Sequence, residues 1–219
     1  MITLRHLLET DLTYYILKQY LEAVYNTRLD FLVEDKIYSQ LGLHFTTYNP
    51  KNKYSKEIIV PSEVDSYYRY TTLQGDVHDM GAAMLGGVGG HAGIFSNAYE
   101  VAIIMQMYLQ KGYYNNKKLF SSSTFDLFNS CYYCEYGNRH GVGFDKPQIE
   151  GVGSTCGCIS KESFGHSGFT GTYAWADPEK EIVFVFLSNR TFPTMENKLL
   201  VNHNIRTRIQ GLLYDALEN

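Results

Sequence analysis

Charge is scarce in this chain: 19% of its 219 residues are Asp, Glu, Lys or Arg, and the formal net charge is -4. So small an imbalance excludes a nucleic-acid surface and a strongly electrostatic partner, and points to a small or neutral molecule instead. No apolar run reaches the length of a membrane span, and residues 1–8 lack the long apolar stretch and small-residue cleavage site of a secretory signal. As written, the chain reads as soluble, without a membrane span. No Gly-x-Ser-x-Gly elbow occurs, which removes the common signature of an α/β-hydrolase. The histidines (His6, His44, His78, His91, His140, His166 and His203) contain no i, i+4 helical pair of the kind that holds a hydrolytic zinc. Neither a metal nor a cofactor is expected.

Tryptophan occurs once, against 19 Tyr and 12 Phe, a mixture that suits half-buried strands first and carbohydrate-lined clefts second. With 44% apolar residues the chain can fill one substantial core or two small ones, so disorder is not expected. The four cysteines fall as Cys131-Tyr-Tyr-Cys134 and Cys156-Gly-Cys158. They are compatible with a four-thiolate zinc site, two disulfides or free thiols; the single residue inside the second pair is short for zinc.

Apolar Ile16, Leu17, Tyr20, Leu21, Val24 and Tyr25 recur at helical spacing after a candidate N-cap, Asp11. A second helix is expected after Asp30, burying Phe31, Leu32, Ile37 and Leu41 and ending at Gly42. Residues 50–70 read as an irregular surface excursion. Asn97-Ala98-Tyr99-Glu100 has capping-box spacing ahead of Val101, Ile104, Met105, Tyr108 and Leu109, with Gly112 as the stop. Ser122 or Ser123 could cap a short helix carrying Phe125 and Phe128, and loops with short strands follow as far as Ser163. Tyr173 to Ala176, a turn over 177–180 and Glu181 to Leu187 read as a hairpin whose second strand, nearly all apolar, should be covered on both faces. Ile205, Ile209, Leu212, Leu213 and Ala216 then mark a C-terminal helix expected to lie on that sheet. The expected class is α+β, an antiparallel sheet flanked by helices, in one partial domain over 1–219: 10–130 mainly helical, 131–219 the strands and the last helix.

Gly86-Gly87-Val88-Gly89-Gly90-His91-Ala92-Gly93 could suggest a phosphate loop, but no apolar strand precedes it and no Gly-Lys-Ser/Thr follows. A tight glycine turn shaping a cleft wall, with His91 packed or capping, is the better reading. Phe164-Gly165-His166-Ser167-Gly168-Phe169 is more informative: on a strand, His166 and Gly168 would share one face and Ser167 take the other, and glycine permits close substrate approach. In acyl transfer a backbone amide on such a strand can stabilise the developing oxyanion.

Three segments in order, 73–79 (Leu-Gln-Gly-Asp-Val-His-Asp), 86–96 and 164–172, resemble the serine β-lactamase-like and penicillin-binding-protein-like family. The likeness is greatest to class C-like hydrolases of the type fused to family-three glycoside hydrolases in Bacteroidetes-type bacteria. It runs from about Thr10 to the C-terminus. The resemblance implies hydrolysis of an amide or ester, such as a β-lactam or a peptidoglycan-derived peptide. It also implies a periplasmic or extracellular setting, and a fused or upstream glycoside hydrolase as companion. In such enzymes the serine of Ser-x-x-Lys attacks the carbonyl, its lysine and a tyrosine manage protons, and a Lys-Thr-Gly or His-x-Gly strand completes the site. By that likeness His166, Ser167 and Gly168 are the third motif, and the Phe169 amide contributes to the oxyanion hole.

No serine here is followed three residues later by lysine. By the same resemblance, residues 2–8 look like the helix that follows the nucleophile motif, Glu9 stands where the tyrosine is expected, and a connecting segment is deleted between Leu8 and Glu9. The expectation is therefore the C-terminal portion of such a domain, truncated and inactive as written, or alternatively a non-catalytic module that binds cell-wall or glycan fragments.

Overall fold

The computed structural model describes residues 11–148 and 153–217; residues 1–10, on which the expectations for Glu9 and its neighbours fall, lie outside them. The described residues open with α1 (Leu12–Tyr25), which ends on Asn26 in the left-handed region. α2 (Leu29–Val33) runs through a π-helical turn (Glu34–Tyr38) into α3 (Ser39–Leu41), closed by Gly42 at φ +72° as the spacing predicts. β1 (Thr47–Tyr48) pairs antiparallel with β4 (Ile94–Phe95). Between them lie the hairpin of β2 (Glu63–Asp65) and β3 (Thr71–Leu73), and the short α4 (Met80–Met84). α5 (Ala98–Leu109), the small hairpin of β5 (Tyr113–Tyr114) and β6 (Lys117–Lys118), and α6 (Ser122–Asn129) follow. The chain finishes with β7 (Phe164–Ser167), β8 (Tyr173–Asp177), β9 (Ile182–Phe186), α7 (Leu199–Asn202) and α8 (Ile205–Leu217). The class is α+β as expected, with small antiparallel sheets among helices.

β8 is the middle strand of an antiparallel sheet ordered β7-β8-β9. Its Tyr173, Trp175 and Ala176 are buried, whereas every residue of β9 is half-buried. The expected full cover of the second hairpin strand is thus corrected: the apolar run is an edge strand, and the double cover belongs to its neighbour. α5 joins the halves of the molecule. Its Met107 packs with Tyr38, Leu41 and Leu43, and its Met105 with Phe125, Phe164 and Ala176. Asn97 caps it by accepting from the Glu100 amide. Glu100 does not complete the box; its buried carboxylate reaches sideways to accept from the amides of His44 and Phe45 and from Thr46 Oγ1.

Several expected faces differ. α1 forms, but Ile16 is 58% and Tyr20 63% exposed, and no α1 residue is buried. Phe31 is exposed while Leu29, Tyr38 and Leu41 are buried, with a π-helical turn between the first and the last two. Residues 50–70 are not wholly irregular: two 3-10 turns and β2 lie there. Ser121, rather than Ser122 or Ser123, caps α6, and Phe128 is exposed. On α8, Ile209 and Leu212 are exposed and the buried residues are Gln210 and Tyr214. This helix is bound to the sheet through polar contacts: Tyr173 Oη donates to Gln210 Oε1 and Tyr214 Oη to Asp177 Oδ2. The cysteines form two local disulfides, Cys131–Cys134 and Cys156–Cys158, so the zinc alternative is set aside.

Candidate functional site

The three segments singled out in the sequence converge on one cleft of about 630 Å³, lined among others by His78, Asp79, Gly89, His91, Gly168 and Phe169. One wall is the end of β7. Gly171 N–H donates to Gly168 O across a turn, and Gly168 N–H bonds Thr172 O. That geometry leaves Phe169 second in the turn, and its N–H meets no acceptor among the described residues. A Cβ on residue 168 would collide with Thr172 Oγ1, which is why glycine is needed there. The Phe169 ring, 60% exposed, lies between the Arg190 guanidinium at 4.6 Å and the His78 ring at 5.4 Å.

Of the four predicted residues, Gly168 and Phe169 line the cleft, whereas His166 and Ser167 do not. His166 is exposed, with Nδ1 2.8 Å from Ser167 O. The strand ends at Ser167 and the turn redirects the backbone before Gly168, so His166 and Gly168 do not lie on one continuous strand face.

The glycine-rich segment forms the opposite wall, as the sequence suggests. A Cβ at Gly90 would sit 2.7 Å from Tyr14 O, so glycine lets the start of α1 close on this turn. His91 is packed, its Nε2 2.8 Å from Asp79 Oδ1 and its ring 4.8 Å edge-on to Tyr15. Asp79 also caps α4 by accepting from Ala82 N–H. Burial alone would raise its pKa, but the Ala82 amide and His91 outweigh that and hold it below the usual carboxylate range. Burial, then Asp79 and Asp11, push the Tyr15 phenol up. Asp11, Asp79 and His91 bring three ligand-type atoms within 4.8 Å of one another. The Asp79–His91 bond and the cap already engage this cluster, which reads as a hydrogen-bonded wall.

Sequence reasoning missed the third side. Glu63, 2% exposed on β2, accepts from Tyr67 Oη at 2.8 Å, lies 2.9 Å from His78 Nε2, and takes Met195 N–H at 2.8 Å. Burial, then Glu63, pushes the Tyr67 phenol up to about 12. Asp65 accepts the amides of Tyr67, Tyr68 and Arg69 and pairs with Arg69 Nε. Burial opposes the ionised form of Asp65, yet these bonds hold its pKa far below the ordinary value. Arg69 in turn donates to the carbonyls of Val77 and His78, at 2.6 and 2.7 Å, and so fixes the backbone that carries His78. The signal for this assembly was only Glu63, Asp65 and Arg69 in a stretch without periodicity; pairing across the cleft is invisible in sequence.

A family profile described as Beta-lactamase matches residues 10–203. A protein of Salmonella enteritidis named "Putative D-alanyl-D-alanine carboxypeptidase" is 34% identical over 217 residues, covering 93% of this chain and 49% of the relative. An Escherichia coli K12 protein of the same name is 34% identical over 194 residues, covering 83% of this chain and 44% of its own length. The chain therefore spans about half the length of the curated relatives it matches. Among solved structures, simvastatin synthase from Aspergillus terreus superposes with a TM-score of 0.61 at 15% identity, covering 93% of this chain and 54% of that one. A β-lactamase from Mycobacterium bovis gives 0.56 at 13% identity, with 90% and 64% covered. A penicillin-binding-protein homologue from Caulobacter crescentus gives 0.54 at 16% identity, with 80% and 50% covered. At such identities these structures speak to the fold alone. The profile over most of the chain, together with the curated relatives, establishes that the chain belongs to the β-lactamase family.

Proposed function

We propose that this chain forms the carbonyl-gripping wall of an amide- or ester-hydrolysing site, with the Phe169 N–H as oxyanion donor. The observation that carries this reading is the unspent Phe169 amide at the rim of the cleft, on a turn next to the His166-Ser167-Gly168 strand end. Preorganised donors of this kind are worth about 2.7–4 kcal/mol each to a transition state. The substrate class is a β-lactam, a peptidoglycan-derived peptide or a small ester; the relatives' carboxypeptidase name favours the second.

Without a Ser-x-x-Lys serine the chain does not form the family's acyl-enzyme. Loss of a nucleophile or its base typically costs about six orders of magnitude in turnover. Ser167 is not a substitute, since it does not line the cleft and no lysine stands at the required spacing. Fluorescent penicillin and a fluorophosphonate test this: no covalent label is expected on the chain, and a labelled serine peptide overturns the reading. We further place the chain among the class C-like hydrolases joined to family-three glycoside hydrolases, as the C-terminal part of the domain. Reading the DNA flanking the coding segment checks both points, and an in-frame Ser-x-x-Lys upstream would restore the full enzyme. The two disulfides support a periplasmic or extracellular location.

The aromatic lining of the cleft, with Tyr48, Tyr67, Phe95 and Phe169, favours a second reading: recognition of a cell-wall or glycan fragment without turnover. Saturable muropeptide binding without labelling would single it out.

A further inference from the structure

We propose that His78, oriented by Glu63, is the proton acceptor of this cleft, and that the pair lets the chain hydrolyse activated esters slowly by direct attack of water. The inference rests on the Phe169 wall proposed above as oxyanion donor.

The hydrogen-bond pattern assigns the roles. A carboxylate can only accept, so Glu63 takes the Tyr67 hydroxyl, the Met195 amide and the His78 Nε2–H at 2.8, 2.8 and 2.9 Å. Nε2 therefore carries a proton, and in the neutral form of the ring the lone pair lies on Nδ1. Glu63 is buried and His78 is nearly so, yet His78 lines the cleft. The ring cannot drift: Arg69 grips the His78 carbonyl, Glu63 holds Nε2, and Phe169 lies against it at 5.4 Å. A base fixed by a buried carboxylate beside an unspent amide on a turn is the arrangement needed to activate a nucleophile next to an oxyanion site. The Asp79–His91 pair is the alternative base, but the His91 side chain is the more buried of the two histidines, and its Nδ1 is buried with no partner among the described residues.

The step balances with water as the only co-reactant. Water gives a proton to His78 Nδ1 as its oxygen bonds the carbonyl carbon, and the carbonyl π pair moves onto oxygen, held by Phe169 N–H. On collapse the ester C–O bond breaks, and an alcohol leaving group takes the proton back from the imidazolium. The products are the acid and the alcohol. With a p-nitrophenyl ester the phenolate leaves as the anion and the proton passes to solvent. His78 is the catalytic residue and Glu63 the positioning residue.

The test is turnover of p-nitrophenyl butyrate by the intact chain, with mass spectrometry for covalent adducts. Saturable hydrolysis above buffer is expected, with no acyl adduct. His78→Ala should lose about a hundredfold or more in kcat, the usual range for a general base. Added imidazole should restore part of it above the rate that imidazole gives in buffer alone, with saturation in ester, a result that requires a folded cleft and so separates chemistry from misfolding. Glu63→Gln should lower kcat with KM unchanged, and Glu63→Asp should retain more. Full turnover in His78→Ala, or an acyl adduct on any serine, overturns the proposal. So does a wild-type rate equal to buffer while a trifluoromethyl ketone analogue of the ester still binds. If that analogue binds neither the wild type nor any variant, it is the Phe169 reading that fails.

Discussion

α1 and α5 are both apolar helices, but only α5 carries the side-chain cap expected of it, since Asp11 makes no cap bond to α1, and α5 buries Met105 and Met107 while α1 buries nothing. The stripe on α1 is the more regular of the two: Ile16, Leu17, Tyr20 and Val24 follow helical spacing closely, and all four are exposed. α5, by contrast, packs against β8 and β9 on one side and against the 29–41 helical run on the other. Periodicity therefore specifies that a helix has an apolar face, and says nothing of what meets it. The solved relatives of this fold are longer than the part this chain covers, so an α1 face matched to surface outside that part fits the comparison.

The contrast can be broken most forcefully at the core beneath α5. Phe164 is fully buried, edge-on to Phe125 and tilted against Phe144, so Phe164→Ala should cost about 3–5 kcal/mol in urea unfolding. A cost below about 1 kcal/mol would mean the cluster is not the core it seems to be. Glu100→Ala comes next. It orphans the His44 and Phe45 amides, at about 1–3 kcal/mol for a buried group left unpaired, while Thr46 Oγ1 keeps its bond to Ser96 Oγ. If Glu100→Ala proves neutral, α5 is anchored only by its apolar contacts.

Acid should separate the polar anchors from the apolar ones. Asp65, Asp79, Glu100 and Asp177 all have folded-state pKa values below their ordinary ones, because hydrogen bonds to the ionised form outweigh burial. A depressed carboxylate stabilises the fold above its unfolded-state pKa, here about 3.9–4.3. That contribution is lost as pH falls through the folded value. Thermal midpoints should thus hold at pH 5–7 and drop below about pH 4. A midpoint that holds to pH 2 would show these bonds to be energetically idle. Ser121→Ala removes the cap on α6 and should cost about 1 kcal/mol. The smallest effect is expected on α1, where Ile16→Ser should change stability of the chain by no more than about 0.5 kcal/mol. A loss comparable to that of Phe164→Ala would show that α1 is covered in solution.

Much of the element order was legible. Gly42 as a left-handed stop, Asn97 as a cap and the hairpin turn, which falls over 178–181 rather than 177–180, are local events, each decided within a few residues. The α8 face was misread because Gln210 and Tyr214 are polar in sequence and become core residues only when Tyr173 and Asp177 meet them. The cleft was half legible. Gly168, Phe169 and the glycine turn stood out, while Glu63 lay in a stretch that looked irregular and His166 drew attention that the turn at Gly168 does not support.

By itself, the sequence determined the local folding events, the family resemblance and the absence of a Ser-x-x-Lys serine, because each depends on neighbouring residues alone. Only the tertiary structure decided which faces are covered, that the three marked segments share one cleft, and that a carboxylate 15 positions away holds His78. Those outcomes depend on which distant groups satisfy one another's hydrogen bonds and fill one another's space, and no spacing along the chain encodes that.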